Sequence, residues 1–337
     1  MSFNWDFNYP SRRMPVMARQ VVATSQPLAS QAGLQMLAQG GNAIDAALAA
    51  AITLTVVEPT MNGIGSDAFC ILSDADGTLH GLNASGRSPA SWSPERFAGQ
   101  RQMPTKGWDA VTVPGCVSAW VTLSKRFGRL PFADLFQPAI GYAREGWLVP
   151  PIVAASWDKA VSAYADQPDW QEAFLRNGAA PRAGELFRFE EQARTLELIA
   201  ASEGEAFYRG ELATAIVDHA AKGGGAMTVD DLAAHKPEWV TPLQLDYRGQ
   251  SLHEIPPNGQ GITAQIALGI LRHFDLARLD PDGIQSLHLQ IEAMKLAYAD
   301  AFRYVSDPET RDIDFKMLLD DVYLQQRSEL IDPQRAI

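Results

Sequence analysis

The 337-residue sequence has very little cysteine and no long apolar run. Cys70 and Cys116 are its two cysteines, which excludes a disulfide framework and a zinc site built from cysteine pairs. The longest apolar block, Ala46 to Val57, is too short to cross a bilayer and predicts a buried helix. The first twenty residues lack the apolar segment of a secretory signal, so we expect a cytoplasmic protein.

Positive charge is also scarce. The chain carries 28 lysines and arginines against 40 aspartates and glutamates, a formal net charge of −12. An acidic surface repels nucleic acids and anionic membranes, so neither is an expected partner. A local basic pocket for a small anion remains compatible with this balance.

The sequence lacks the common motifs for cofactors and for serine nucleophiles. The glycine-rich stretch GGGAMT (223–228) has no P-loop lysine, and GNAIDA (41–46) does not fit a dinucleotide-binding turn. Ser66 and Ser85 lie outside any GxSxG elbow. We therefore expect no cofactor and find no complete catalytic set.

Two further groups have both a functional and a structural interpretation. His288 and Glu292 share a helix face and could hold a metal, but no third ligand is suitably spaced, so a polar pair is favoured over a metal site. Cys116 follows VPG at a predicted helix start, where the helix dipole would lower a thiol pKa. The apolar CVSAWV context favours a core residue instead.

Several segments have clear local signals. Ser25 and Asn42 are predicted helix caps; the first helix would bury Leu34 and the second Ala47, among other residues. Thr228 is a predicted cap of a short helix. Two long helices are predicted, at 262–273 and 284–305.

Two hairpins are predicted as well. The first pairs 68–73 with 79–83 around Asp76–Gly77, and the second centres on YRG (247–249). With no βαβ alternation, the pattern indicates an α+β fold with antiparallel sheet. We predict one domain over 1–337, mixed α/β at 15–115 and 240–310, and mainly helical at about 116–235.

Seven motifs in fixed order make the sequence resemble the large subunit of the gamma-glutamyltranspeptidase family, part of the N-terminal-nucleophile hydrolases. The motifs cover roughly residues 15 to 310. They are GGNAIDAALAA, NGIGSDAF, VPGCVSAWVTLSKRFGRLPFADLFQPAI, FYRGELA, MTVDDLAAHKPEW, YRGQSLHEIPPNGQG and HLQIEAMKLAYADAFRYVSDPE.

This resemblance implies a four-layer αββα sandwich completed by a small subunit. Family members are precursors that cleave themselves before a threonine, and that new N-terminal threonine is the nucleophile, with its own α-amine as base. The resemblance thus places no catalytic residue in this chain. It implies a small-subunit partner in a heterodimer or heterotetramer.

The resemblance also implies a substrate-binding arginine after the first hairpin, gripping a carboxylate of the substrate. A guanidinium makes two parallel bonds to a carboxylate, which also fixes its orientation. Aligned on Pro89–Ala90, the family position falls on Ser85, and Arg87 is displaced by two residues. Arg87 is the main candidate, with Ser85 and Asp67 as weaker ones; a structural role for Arg87 is the alternative.

Two departures in the pocket favour the looser branch of the family: the displaced arginine, and Asp67 in a stretch that is usually glycine-rich in glutathione-cleaving members. Ala301 replaces a common arginine, a loss that we interpret as a missing helix-surface pairing with no catalytic consequence. The expected activity is hydrolysis or transfer of gamma-glutamyl amides. The alternatives are a cephalosporin or glutaryl acylase, an inactive scaffold or binding protein, and, least favoured, a thiol hydrolase using Cys116.

Overall fold

The computed structural model describes residues 16–310 and 313–336. These residues form two compact units, one made of 16–66 and 87–235 and the other of the remainder, which we call unit 1 and unit 2. Residues 1–15, which bear on the secretory-signal argument, lie outside the described residues. The single-domain assignment and its internal boundaries stay predictions.

The described part of the chain mixes helices and strands, as the α+β prediction requires. The helices are α1 Pro27–Ala38, α2 Ala43–Val57, α3 Cys116–Phe127, α4 Gln137–Glu145, α5 Pro151–Ala163, α6 Pro168–Phe174, α7 Glu190–Ser202, α8 Glu205–Tyr208, α9 Glu211–Lys222, α10 Val229–Ala234, α11 Ile262–Leu271, α12 Ile284–Tyr304 and α13 Asp321–Ser328. The strands are β1 Ala68–Ser73, β2 Leu79–Ala84, β3 Trp147–Leu148, β4 Leu186–Phe187, β5 Glu238–Val240, β6 Leu243–Tyr247 and β7 Gln250–Glu254.

Unit 1 contains α1–α10 and the short β3–β4 pair. Asn42 caps α2 as predicted, and its side chain forms a reciprocal capping box with Asp45. Gln26, rather than the predicted Ser25, caps α1. The predicted buried faces of both helices are wrong in part, because Leu34 is 45% exposed and Ala47 is exposed. Small residues of α1, including Gly33, pack against α2 instead.

Unit 2 contains a three-stranded antiparallel sheet in the order β1–β2–β5. Both strands of the predicted first hairpin are present, and β2 extends one residue further, to Ala84. One face of β2 is buried through Leu82 and Ala84. The opposite face of the pair carries Phe69 and Asn83, which face each other in the register.

The second predicted hairpin, β6–β7, packs with α11–α13 around an apolar core in unit 2. Ile262, Ile266 and Ile270 of α11 are fully buried there. One face of α12 joins this core through Leu289, Ala293 and other residues. Within 16–310 and 313–336, none of the helices has the length and apolar character needed to cross a bilayer.

Candidate functional site

The end of β2 is held in unit 2 by three polar side chains that hydrogen-bond in a closed ring. Asn83 Nδ2 donates to Asn258 Oδ1 at 2.8 Å, and Asn258 Nδ2 donates to Ser85 Oγ at 2.9 Å. Ser85 Oγ donates to Asn83 Oδ1 at 2.8 Å, which closes the cycle. We call this the Asn–Ser–Asn ring. Such cycles polarise each member and rigidify it, so Ser85 has a fixed position.

Asp67 immediately precedes β1 and, by strand alternation, lies on the exposed face that also carries Phe69. Its Oδ1 accepts a hydrogen bond from the Gly86 N–H at 3.1 Å. Partial burial raises the pKa of the Asp67 carboxyl, and the Gly86 bond opposes that rise. Asp67 therefore tethers the chain just after Ser85.

Arg87, the main predicted site residue, is exposed in unit 1. Its backbone carbonyl accepts a hydrogen bond from the Val113 N–H at 2.9 Å, which fixes the chain at this point. Two residues further on, Pro89 is buried, and the Ala90 N–H donates to Asp231 of the α10 capping box at 2.8 Å. Hydrogen bonds at Arg87 and at Ala90 thus fix the backbone that carries this arginine. A fixed backbone suits a side chain that orients an anion.

A hydrogen-bonded group in unit 1 lies within electrostatic range of Arg87. His235 Nε2 is 2.9 Å from Ser118 Oγ, and the His235 ring stacks on Tyr208. Burial lowers the pKa of His235, and the positive charge of Arg87 lowers it further. Tyr208 in turn donates to the Pro114 carbonyl at 2.8 Å. Because Ser118 is buried and bonds to the Gly115 carbonyl, this group is a structural support.

Cys116 is 3% exposed at the N-terminus of α3. Its Sγ lies 3.0 Å from the Ile64 carbonyl oxygen, and the backbone N–H of Cys116 donates to the Ser66 carbonyl at 2.9 Å. Ser66 Oγ accepts from the Gly63 N–H at 3.1 Å. These contacts fasten the NGIGS loop to α3, in agreement with the core interpretation of Cys116.

His288 and Glu292, for which the sequence favours a polar pair over a metal site, have structural partners in unit 2. Glu292 is 2% exposed, and its Oε1 and Oε2 accept hydrogen bonds from Lys295 Nζ at 3.0 and 3.1 Å. His288 Nε2 lies 2.8 Å from the Asp332 carbonyl oxygen. Across the described ranges, no three His, Cys, Asp or Glu side chains form a group that could hold a metal ion.

Asn83 and Asn258 were not among the predicted site residues. The PPNGQG stretch around Asn258 predicts a turn before α11 and nothing about a partner on β2. Asn83 does lie on the same strand face as Ser85, because strand side chains alternate. That alternation is the one sequence signal that could have pointed to Asn83.

Comparison with known proteins gives consistent results over nearly the whole chain. The Gamma-glutamyltranspeptidase family model matches residues 29–337. The glutathione hydrolase-like YwrD proenzyme of Bacillus subtilis is 38% identical over 315 residues, which cover 93% of this chain and 60% of that protein.

Two solved structures are also similar. The cephalosporin acylase from Bacillus halodurans matches with a TM-score of 0.91 and 46% identity, over 98% of this chain and 63% of that one. The gamma-glutamyltranspeptidase of Helicobacter pylori matches with a TM-score of 0.92 and 27% identity, over 96% of this chain and 95% of that one. The fold class predicted from sequence is therefore confirmed. This chain spans less than two thirds of the Bacillus subtilis proenzyme and of the acylase chain.

Proposed function

Because the chain belongs to the gamma-glutamyltranspeptidase family, we propose that it is the large subunit of an enzyme that cleaves gamma-glutamyl amides by hydrolysis or transfer. The carrying observation is Arg87, an exposed residue on an anchored backbone two residues after Ser85. In this proposal Arg87 binds the substrate carboxylate through two parallel hydrogen bonds. Ser85 and Asp67 are further, weaker candidates for substrate binding in this proposal.

The nucleophile in this proposal is the N-terminal threonine of a small subunit. Its hydroxyl adds to the amide carbonyl carbon while its α-amine takes the hydroxyl proton. The C–N bond then breaks, and the leaving amine departs with that proton. Water adds to the resulting threonine ester, releases the acid and restores the hydroxyl. Arg87 acts throughout by holding the acyl group in a fixed orientation.

A partner subunit is part of the proposal, as a heterodimer or heterotetramer. Its support in this chain is a row of exposed apolar side chains that lie on one face of α12, because they are spaced by three, four or seven residues. This α12 stripe consists of Ile284, Leu287, Ile291, Tyr298 and Phe302, with exposures between 42% and 89%. Contiguous apolar surface of this kind is typical of binding sites. We propose that the small subunit covers the stripe. As a separate proposal, we expect the protein to be cytoplasmic.

The second candidate function is a cephalosporin or glutaryl acylase. It is favoured by the 46% identity to the Bacillus halodurans acylase, and by Ser85 at the position where the family arginine is expected. An acylase cleaves the same kind of amide without reading an α-amino acid. An inactive scaffold or binding protein is the third candidate.

Co-expression of this chain with its small subunit tests the proposal. We expect hydrolysis of gamma-glutamyl p-nitroanilide, and a loss in kcat/KM on the order of 10- to 100-fold in Arg87→Ala, the worth of a charged bidentate contact. Arg87→Lys recovers part of the loss, since lysine keeps the charge without the fork. Arg101→Ala, an exposed arginine of the same unit, is the matched control.

The outcomes separate the candidates. The gamma-glutamyl and glutaryl anilides carry the same terminal carboxylate and differ in the α-amino group, so a wild-type preference for the gamma-glutamyl anilide supports the transpeptidase assignment and equal turnover of both supports an acylase. Arg87→Ala should lower the turnover of both, and no loss on either shows that Arg87 does not bind the shared carboxylate. A co-expressed pair of subunits that cleaves neither anilide leaves the scaffold as the remaining candidate.

A further inference from the structure

The backbone segment that carries Arg87 is tied by hydrogen bonds to α10 and to the loop before it. The Ala90 N–H donates to Asp231 Oδ1 at 2.8 Å. Further along the segment, Arg96 Nη2 donates to the Gly224 carbonyl at 2.7 Å. The bond at Asp231 is the nearer of the two to Arg87, three residues along the chain. Asp231 therefore holds this segment close to the residue that we propose binds substrate.

The segment has a second anchor, at Arg87 itself. The Val113 N–H donates to the Arg87 carbonyl at 2.9 Å, and Val113 is 2% exposed. Val113 packs in an apolar core of unit 1 with Leu232 of α10, which is completely buried and directly follows Asp231. Because packed cores deform little, the two anchors keep a fixed separation and leave the backbone between them little freedom.

The two carboxylate oxygens of Asp231 have different partners. Oδ2 accepts from the Thr228 N–H at 2.9 Å and from Thr228 Oγ at 2.7 Å, as part of the α10 capping box. Oδ1 accepts from Ala90, which lies outside that cap. Burial favours a higher pKa for Asp231, but the bonds from Ala90 and Thr228 outweigh it and hold the pKa below its ordinary value. The carboxylate is therefore ionised at neutral pH, and hydrogen bonds to an ionised acceptor are the stronger kind.

We propose that Asp231 is a positioning residue, which acts through the Ala90 N–H to hold the backbone of Arg87 in the orientation that binds the substrate carboxylate. A bidentate contact needs two N–H groups of the guanidinium aligned with two oxygens, so a small displacement of the backbone weakens it. Asp231 itself touches no substrate in this proposal. The inference rests on the proposed function of Arg87 and deepens it by naming the residue that fixes its backbone.

A double-mutant cycle on the co-expressed enzyme, with gamma-glutamyl p-nitroanilide as substrate, tests this role. Asp231→Ala should lower kcat/KM about tenfold, because a misplaced binding group forfeits much of its contribution. In the Arg87→Ala background the same substitution should change kcat/KM by less than about twofold, since the side chain that it positions is gone. A loss of stability alone would instead act equally in both backgrounds.

Three further variants separate positioning from stability. Ala90→Pro removes the N–H donor and leaves the α10 cap intact, so it should reproduce the loss of Asp231→Ala. Proline suits this site, because the Trp92 N–H donates to the Pro89 carbonyl in a turn whose second residue is Ala90. Thr228→Ala breaks the cap but keeps the acceptor for Ala90, and should lower the Tm without that loss in kcat/KM. Asp231→Asn keeps an acceptor oxygen for Ala90 and should recover part of the loss.

The outcomes are distinct. An Arg87→Ala enzyme as active as the wild type overturns the role of Arg87 in the proposed function, and the positioning role with it. Where Arg87→Ala does lose activity, equal losses from Asp231→Ala in both backgrounds overturn the positioning role alone. An Ala90→Pro enzyme with the kcat/KM of the wild type does the same, and this result is decisive even if Asp231→Ala fails to fold.

Discussion

Two polar clusters in this chain use similar residues in opposite surroundings. Asp45 is completely buried in unit 1, where its carboxylate accepts from the backbone N–H groups of Asn42 at 2.8 Å and Arg129 at 3.1 Å. The Asn–Ser–Asn ring of unit 2 is partly open to solvent. In the first cluster a fully buried carboxylate bonds to backbone groups. In the second, the side chains bond to one another where solvent can reach them.

This difference separates a cluster whose removal exposes a buried defect from one whose lost bonds water can replace. A buried acceptor that satisfies several N–H groups leaves them unpaired when it is removed, at a large cost in stability. An exposed ring loses little stability when opened, because water replaces the lost partner. The following predictions test this contrast, from the largest expected effect to the smallest.

Asp45→Ala should produce the largest loss of stability. At least two backbone N–H groups, those of Asn42 and Arg129, lose a charged acceptor that is itself completely buried, and we expect the free energy of unfolding to fall by about 3 kcal/mol. Chemical denaturation of the purified protein measures it. Asp158→Ala removes an exposed carboxylate from α5 of the same unit and should change stability little. Equal effects of the two substitutions would contradict the contrast.

Asn258→Ala should have a much smaller effect on stability. Its bonds to Asn83 and Ser85 are accessible to water, so the free energy of unfolding should fall by less than about 1 kcal/mol. The same denaturation experiment applies. A loss as large as that of Asp45→Ala would show that the ring stabilises the fold as strongly as the buried carboxylate does.

The two clusters also differ in how much of each could be predicted from the sequence. The cap at Asn42 follows from a local pattern, because its partner Asp45 is three residues away on the same helix. The hairpin leading to Ser85 follows from alternation and turn residues. Asn258 lies 173 residues from Ser85, so no local periodicity links them. Only the folded unit 2 brings them together.

Helix faces show the same limit. α2 is apolar almost throughout, so periodicity could not decide which side faces the core, and the prediction that Ala47 is buried was wrong. In α1, glycine and alanine allow the close approach that excludes Leu34 from the interface. Packing of small residues depends on the partner helix, which a one-helix pattern does not contain.

His235 is partly buried, and its contribution to stability should depend on pH. Burial, and then Arg87, lower its pKa in the folded state, whereas the unfolded chain titrates near pH 6.5. Below about pH 6.5 the unfolded state therefore takes up the proton first, and stability falls until the lower folded pKa is reached. Above that range this contribution is fully present.

His235→Asn removes this titration. We expect the drop in Tm between about pH 7.5 and about pH 5.5 to be smaller in the variant than in the wild type. Carboxylates and other histidines contribute to the drop in both proteins and cancel in the comparison. A drop of the same size in both would show that His235 titrates as an exposed histidine.

Phe302→Gln on the α12 stripe should have the smallest effect on this chain alone. The side chain is 81% exposed and its ring stacks on Tyr298, so the free energy of unfolding should change by no more than about 0.5 kcal/mol. Its effect should appear when the small subunit is present, as weaker association measured by co-purification or sedimentation. Met317→Gln, a partly exposed apolar residue of unit 2 outside the stripe, is the control. Equal association in both variants would show that the partner covers another surface.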